Sequence, residues 1–80
     1  MKLTIVAYGI AKEILGASSI EYEIEGSLSQ EALLENLKRS YPGFNKLTSL
    51  VIAINSEYAQ KGQIVSENDE VVLIPPVSGG

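Results

Sequence analysis

The chain contains no cysteine and no histidine. The first absence excludes disulfides and thiol chemistry, and the two together remove the usual ligands of zinc and haem. No metal site is expected. Without histidine the chain also lacks the one side chain whose unperturbed pKa lies near neutrality. A general acid–base enzyme would have to rely on tuned carboxylates or lysines. No pair of these forms a recognisable constellation, and 80 residues leave little interior in which to tune one. Any chemistry is therefore expected to be supplied by a partner. Basic charge is scarce: 6 Lys and Arg stand against 10 Asp and Glu, for a net charge of −4. Nucleic-acid binding needs a basic footprint, so this balance argues against it, while permitting a partner with a basic surface. No apolar run approaches the roughly 20 residues of a membrane span. The apolar start is short and broken by Lys2 and Thr4, unlike a signal peptide. A soluble, cytoplasmic protein is the expectation, with no membrane partner. No internal repeat, linker or low-complexity segment is evident.

What is present reads as one small globular domain, with 45% apolar residues and thus enough to form a core. Residues 2–8 alternate as a strand, with Leu3, Ile5 and Ala7 on one side and Thr4, Val6 and Tyr8 on the other. Gly9 breaks it. Residues 10–15 fit a short helix capped by Gly16. Residues 19–25 alternate Ile20, Tyr22 and Ile24 against Glu21, Glu23 and Glu25. The three glutamates can be read as a cation site. The alternation supports a solvated outer face instead, one that also protects an edge from pairing. Ser27 stands three residues before Gln30, the spacing of a capping box. A helix over about residues 28–41 follows, with Leu33, Leu34, Leu37 and Tyr41 on one face. Glu31 sits near its positive end and Lys38 and Arg39 near its negative end. Glu35 is placed to pair with Arg39. Pro42-Gly43 stops the helix, and residues 44–49 carry no clear signal. Leu50 to Ile54 is a continuous apolar run, expected to be a strand with both faces largely covered. Asn55-Ser56-Glu57 reads as a turn that gives Asn55 no functional role, Tyr58 to Gln60 as a short edge strand, and residues 66–69 as a polar turn. Glu70 to Ile74 is the last strand.

A strand–helix–strand step favours a parallel neighbour and a right-handed crossover. The simplest arrangement sets the first and last strands side by side in a mixed sheet with the main helix across one face. This is an α+β roll of the β-grasp type, with residues 1–74 as the domain and 75–80 as a flexible tail. One helix covers only one face of a sheet. Yet the first and last strands are apolar on both parities: Val6 and Tyr8 as well as Leu3 and Ile5, Val72 and Ile74 as well as Val71 and Leu73. An exposed apolar patch including Tyr8, Tyr58 and Ile74 is therefore expected near the root of the tail, and such patches usually mark a partner surface. The alternative is that the helix over 10–15 covers it.

The tail itself is Pro75-Pro76-Val77-Ser78-Gly79-Gly80. Two prolines end the ladder, because they lack an N–H and fix φ. Six extended residues reach up to roughly 20 Å. They form a thin, nearly side-chain-free strip ending in a carboxylate, able to enter a channel closed to bulkier ends. The bland alternative is a frayed terminus.

Tyr8-Gly9-Ile10-Ala11-Lys12-Glu13, the Asn55-Ser56-Glu57-Tyr58 turn and above all the Pro-Pro-Val-Ser-Gly-Gly ending make the chain resemble, over its whole length, the MoaD family of ubiquitin-like sulfur carriers, the small subunits of molybdopterin synthase. The turn is commonly Asn-Gly-Glu in such carriers, so Ser56 is a small departure. The resemblance implies that Gly80 is the reactive residue. An adenylating enzyme (MoeB-like) would use ATP to make an acyl-adenylate there, and sulfur from a persulfide donor would replace AMP to leave a thiocarboxylate. It further implies docking on a large synthase subunit (MoaE-like), with Pro75, Pro76, Val77, Ser78 and Gly79 entering that subunit's active site to build the dithiolene of molybdopterin. Tyr8, Tyr58 and Ile74 would supply docking contacts, and no cofactor would be bound by the chain itself. A terminal Gly-Gly is shared more widely. A carrier for thiamine or tRNA thiolation, a protein modifier forming isopeptide bonds through Gly80, and a plain β-grasp binding module are the competing readings. Pro-Pro-Val-Ser disfavours the first of these.

Overall fold

The computed structural model describes residues 2–76. Its elements run β1 (Lys2–Ala7), α1 (Gly9–Leu15), β2 (Ser19–Glu23), β3 (Leu28–Ser29), α2 (Gln30–Ser40), a 3-10 helix (Pro42–Lys46), β4 (Val51–Ile54), β5 (Glu57–Tyr58), β6 (Ile64–Val65) and β7 (Glu70–Ile74). The main sheet has the order β2-β1-β7-β4-β5. β1 and β7 are parallel neighbours, with Ile5 opposite Val71 and Ala7 opposite Leu73. The remaining pairs of this sheet are antiparallel. The expected placing of the first and last strands side by side is therefore found, and the architecture is α+β with a mixed sheet.

Period-two alternation decides which side of the sheet becomes core. Leu3, Ile5 and Ala7 of β1 and Val71 and Leu73 of β7 are buried, as are Ile52 and Ile54 of β4. α2 lays Leu33 and Leu37 into the same core, while Leu34 and Tyr41 pack half-buried against it. The leucine stripe is thus core, as its spacing predicts. α1 contributes Ala11 and Leu15 and ends where Gly16, at φ 84°, sends its N–H back to the Lys12 carbonyl. That left-handed position favours glycine. α1 therefore lies on the helix side and leaves the other face of the sheet bare. Glu21, Glu23 and Glu25 are exposed, and β2 is an edge strand, which agrees with a solvated outer face.

Several local expectations are corrected. The cap of α2 is Ser29, whose hydroxyl accepts the Ala32 N–H at 3.1 Å, not Ser27. A cap of this kind contributes about 1 kcal/mol. Ser27 is displaced because residues 28–29 are drawn into a ribbon, Leu28 opposite Val65 and Ser29 opposite Ile64. Two-residue strands carry no periodicity, so neither β3 nor β6 is visible in the sequence. The first half of the unassigned connector belongs to the 3-10 helix, anchored by Phe44, which is buried and packs edge-on to Tyr41 with ring centroids 6.1 Å apart. Arg39 donates to the Asn36 side chain at 3.1 Å in place of the expected pair with Glu35. Both ends of that pair are exposed, where an ion pair is worth little against side-chain entropy. β4 has both faces largely covered, as expected, with Ile52, Ala53 and Ile54 buried, and opens only at Val51, which is 43% exposed.

One tie crosses the fold at the start of α2. The Gly62 N–H donates to the two Glu31 carboxylate oxygens at 2.9 and 3.2 Å, and the Gln30 N–H donates to the Gln63 carbonyl at 2.8 Å. The loop between β5 and β6 is thereby fastened to the helix. The Gly62 bond is the main cause holding the Glu31 carboxyl below the ordinary carboxylate range. The native state thus favours the ionised form. The contribution is present above about pH 4.3, the value of an unfolded glutamate, and is lost as pH falls through the lower native value. The thermal midpoint of the wild type is expected to exceed that of Glu31→Gln at neutral pH and to converge with it in acid. A difference constant with pH would remove the carboxylate from the account.

Candidate functional site

The sheet face turned away from the helices is built by the opposite parity of the same strands. The registers Val6↔Val72, Val72↔Ala53 and Ala53↔Tyr58 set these four residues in one row across β1, β7, β4 and β5. Ile74 lies opposite Val51 in the next row, about 7 Å further along the strands, and Tyr8 follows β1 at the same end. Tyr8 is 62% and Tyr58 71% exposed, while Val6, Val72 and Ile74 are half-buried. Ala53, Ser56, Tyr58, Val72 and Ile74 line a shallow depression here. The three residues predicted from sequence, Tyr8, Tyr58 and Ile74, thus share this face, and the patch is not closed over by α1. Val6, Val51 and Val72 extend it. Val6 and Val72 are legible from the double parity of their strands. Val51 is masked by the unbroken apolar run around it.

The hairpin that presents Tyr58 has both central residues at positive φ, Asn55 at 50° and Ser56 at 74°. Two such residues make the tight turn whose twist suits antiparallel strands. Asn55 is fixed on both sides. Its amide donates to the Asp69 carboxylate and its carbonyl oxygen accepts the Glu70 N–H, each at 3.0 Å. Asp69 also accepts the Ser66 N–H at 2.8 Å. Asn55 is therefore a structural clamp between the β4–β5 turn and the turn before β7, in line with its having no chemical role.

The patch ends where β7 ends. Beyond Ile74 the half-buried Pro75 and Pro76 stop the ladder, since neither can donate to it. Gly9, at φ 55°, lies beside them; a β-carbon at that position would stand 3.7 Å from the Pro75 ring. Of the predicted tail, Val77, Ser78, Gly79 and the reactive Gly80 lie outside the described residues. The described residues include no helix long and apolar enough to cross a membrane.

Comparison with known proteins agrees with this frame. The model of the ThiS family matches residues 5–80. The molybdopterin synthase sulfur carrier subunit of Dictyostelium discoideum is 35% identical over 81 residues, which cover 95% of this chain and 93% of that protein. The protein of the same name from Arabidopsis thaliana is 27% identical, with 100% of this chain and 84% of that one covered. Among solved structures, small archaeal modifier protein 1 of Haloferax volcanii superposes with a TM-score of 0.80 over 95% of this chain and 98% of that one. At 19% identity that likeness concerns the fold. The chain belongs to the ThiS family, with molybdopterin synthase sulfur carrier subunits among its relatives.

Proposed function

We propose that this chain is the sulfur carrier subunit of a molybdopterin synthase, with the carbonyl carbon of Gly80 as the site of sulfur attachment. The observation that carries the reading is the full-length similarity to proteins of that name, in a chain whose own sequence ends Pro-Pro-Val-Ser-Gly-Gly. The α-carboxylate is ionised at neutral pH, since its pKa is about 3.5, and an ionised carboxylate is a poor electrophile. Activation must come first. An ATP-using partner joins a Gly80 carboxylate oxygen to the α-phosphorus of ATP and releases pyrophosphate. The terminal sulfur of a donor persulfide then attacks the acyl carbon, and AMP leaves. A thiol that cleaves the resulting sulfur–sulfur bond is itself oxidised to a disulfide and frees the thiocarboxylate. Gly80 has no β-carbon to obstruct these attacks.

The body's part is presentation. The apolar face docks on the large synthase subunit through Tyr8, Tyr58 and Ile74, and the tail enters that subunit's active site. Pro75 and Pro76 stiffen its root and lower the ordering cost of insertion. The chain is no enzyme on its own and holds no cofactor; ATP is consumed by the adenylating partner. Intact mass after incubation with an adenylating enzyme, ATP and a persulfide donor tests this. The expected product is heavier by the difference between a sulfur and an oxygen atom. Conjugates of much higher mass would identify a modifier, and an unchanged mass would overturn the carrier role.

A further inference from the structure

We propose that the partner surface that receives the apolar face carries basic side chains opposite a row of carboxylates formed by Glu21 and Glu70, so that charge sets the docking orientation before contact. This rests on the docking role proposed above. Thr4 lies opposite Glu21 on one side and opposite Glu70 on the other. All three are exposed, and each alternates with a residue turned toward the helices. They therefore form a single row on the bare face. The next row along the same strands begins with Val6 and Val72, and the one after it holds Ile74 and Val51. One face thus grades from acidic to apolar as it nears the root of the tail. Lys2 partly offsets Glu21, with its Nζ 4.0 Å from the carboxylate. Among the described residues no basic side chain forms an ion pair with Glu70.

The gradient has a direction, and that direction matters for a carrier. An apolar patch attracts without orienting, whereas the tail must enter a channel from one side only. Carboxylates at the far end of the patch distinguish the productive orientation from the same patch turned end over end. A partner with basic side chains at that end gains rate and register; an acidic partner is repelled. The overall charge of −4 adds long-range attraction of the same sign.

The test measures association of the full-length chain with the large synthase subunit of its own organism. Wild type, Glu21→Lys/Glu70→Lys and Tyr58→Ala are compared, with circular dichroism confirming that each is folded. The charge-reversed pair is expected to associate about tenfold more slowly at low salt, with the deficit closing toward about 0.5 M salt, where the Debye length is only a few ångströms. Glu21→Gln/Glu70→Gln should fall between. Association of the reversed pair at the wild-type rate or faster at low salt, with Tyr58→Ala still weakened, would overturn the inference and leave the docking face standing. Should Tyr58→Ala also bind as the wild type does, the docking reading itself fails.

Discussion

Deletion of Gly80 is expected to abolish sulfur transfer and to leave the fold untouched. The two halves of that expectation have separate physical causes. Removing one residue withdraws the reacting carbon by about 3.3 Å. A misplacement of even about 1 Å can cost roughly a hundredfold in rate, so the loss should exceed that and reach the detection limit. One added alanine after Gly80 should do the same, because it buries the carboxylate's former position in a peptide bond and sets the new terminus too far along. The fold is indifferent because, among the described residues, the buried core is drawn from residues 3–73. The thermal midpoint should be that of the wild type in both variants. Sulfur transfer retained in either would mean that the chemistry does not take place at the terminal carbon.

The sequence is legible wherever periodicity is long enough to express a burial pattern. Leu3, Ile5 and Ala7 against Thr4, Val6 and Tyr8 give β1 and its two faces, and Leu33 and Leu37 give the buried stripe of α2. The bare face follows from counting: both parities of β1 and β7 are apolar, and one main helix covers one side. Four features escape for physical reasons. β3 and β6 are two residues each, too short to show alternation, and their pairing moves the α2 cap from Ser27 to Ser29. The tie from Glu31 to Gly62 spans 31 positions and uses a backbone N–H, which no residue type announces. Val51 is hidden in an apolar run because Leu50 to Ile54 reads the same whether one face is covered or two. The acidic row is distributed over β2 and β7 as Glu21 and Glu70, and only the register through Thr4 joins them.

Adjacent residues of β7 offer the sharpest separation of stability from docking. Leu73 is fully buried in the core, and Leu73→Ala is expected to cost about 2–5 kcal/mol of stability through lost transfer energy and the cavity left behind. That is a large share of the roughly 5–15 kcal/mol available to a domain, and this one is small. Its thermal midpoint should fall steeply, and any loss of binding should follow the unfolded fraction. Ile74 points the other way, half-buried beside Val51 on the bare face. Ile74→Ala is expected to remove about 1 kcal/mol of stability but about 2 kcal/mol of binding to the large subunit, roughly thirtyfold in Kd. Thermal melts and equilibrium titrations of the two variants would show the effects exchanging places across one peptide bond. If Ile74→Ala lost stability as Leu73→Ala does while keeping its affinity, the face opposite the helices would have no role in docking, and the tail alone would have to carry recognition.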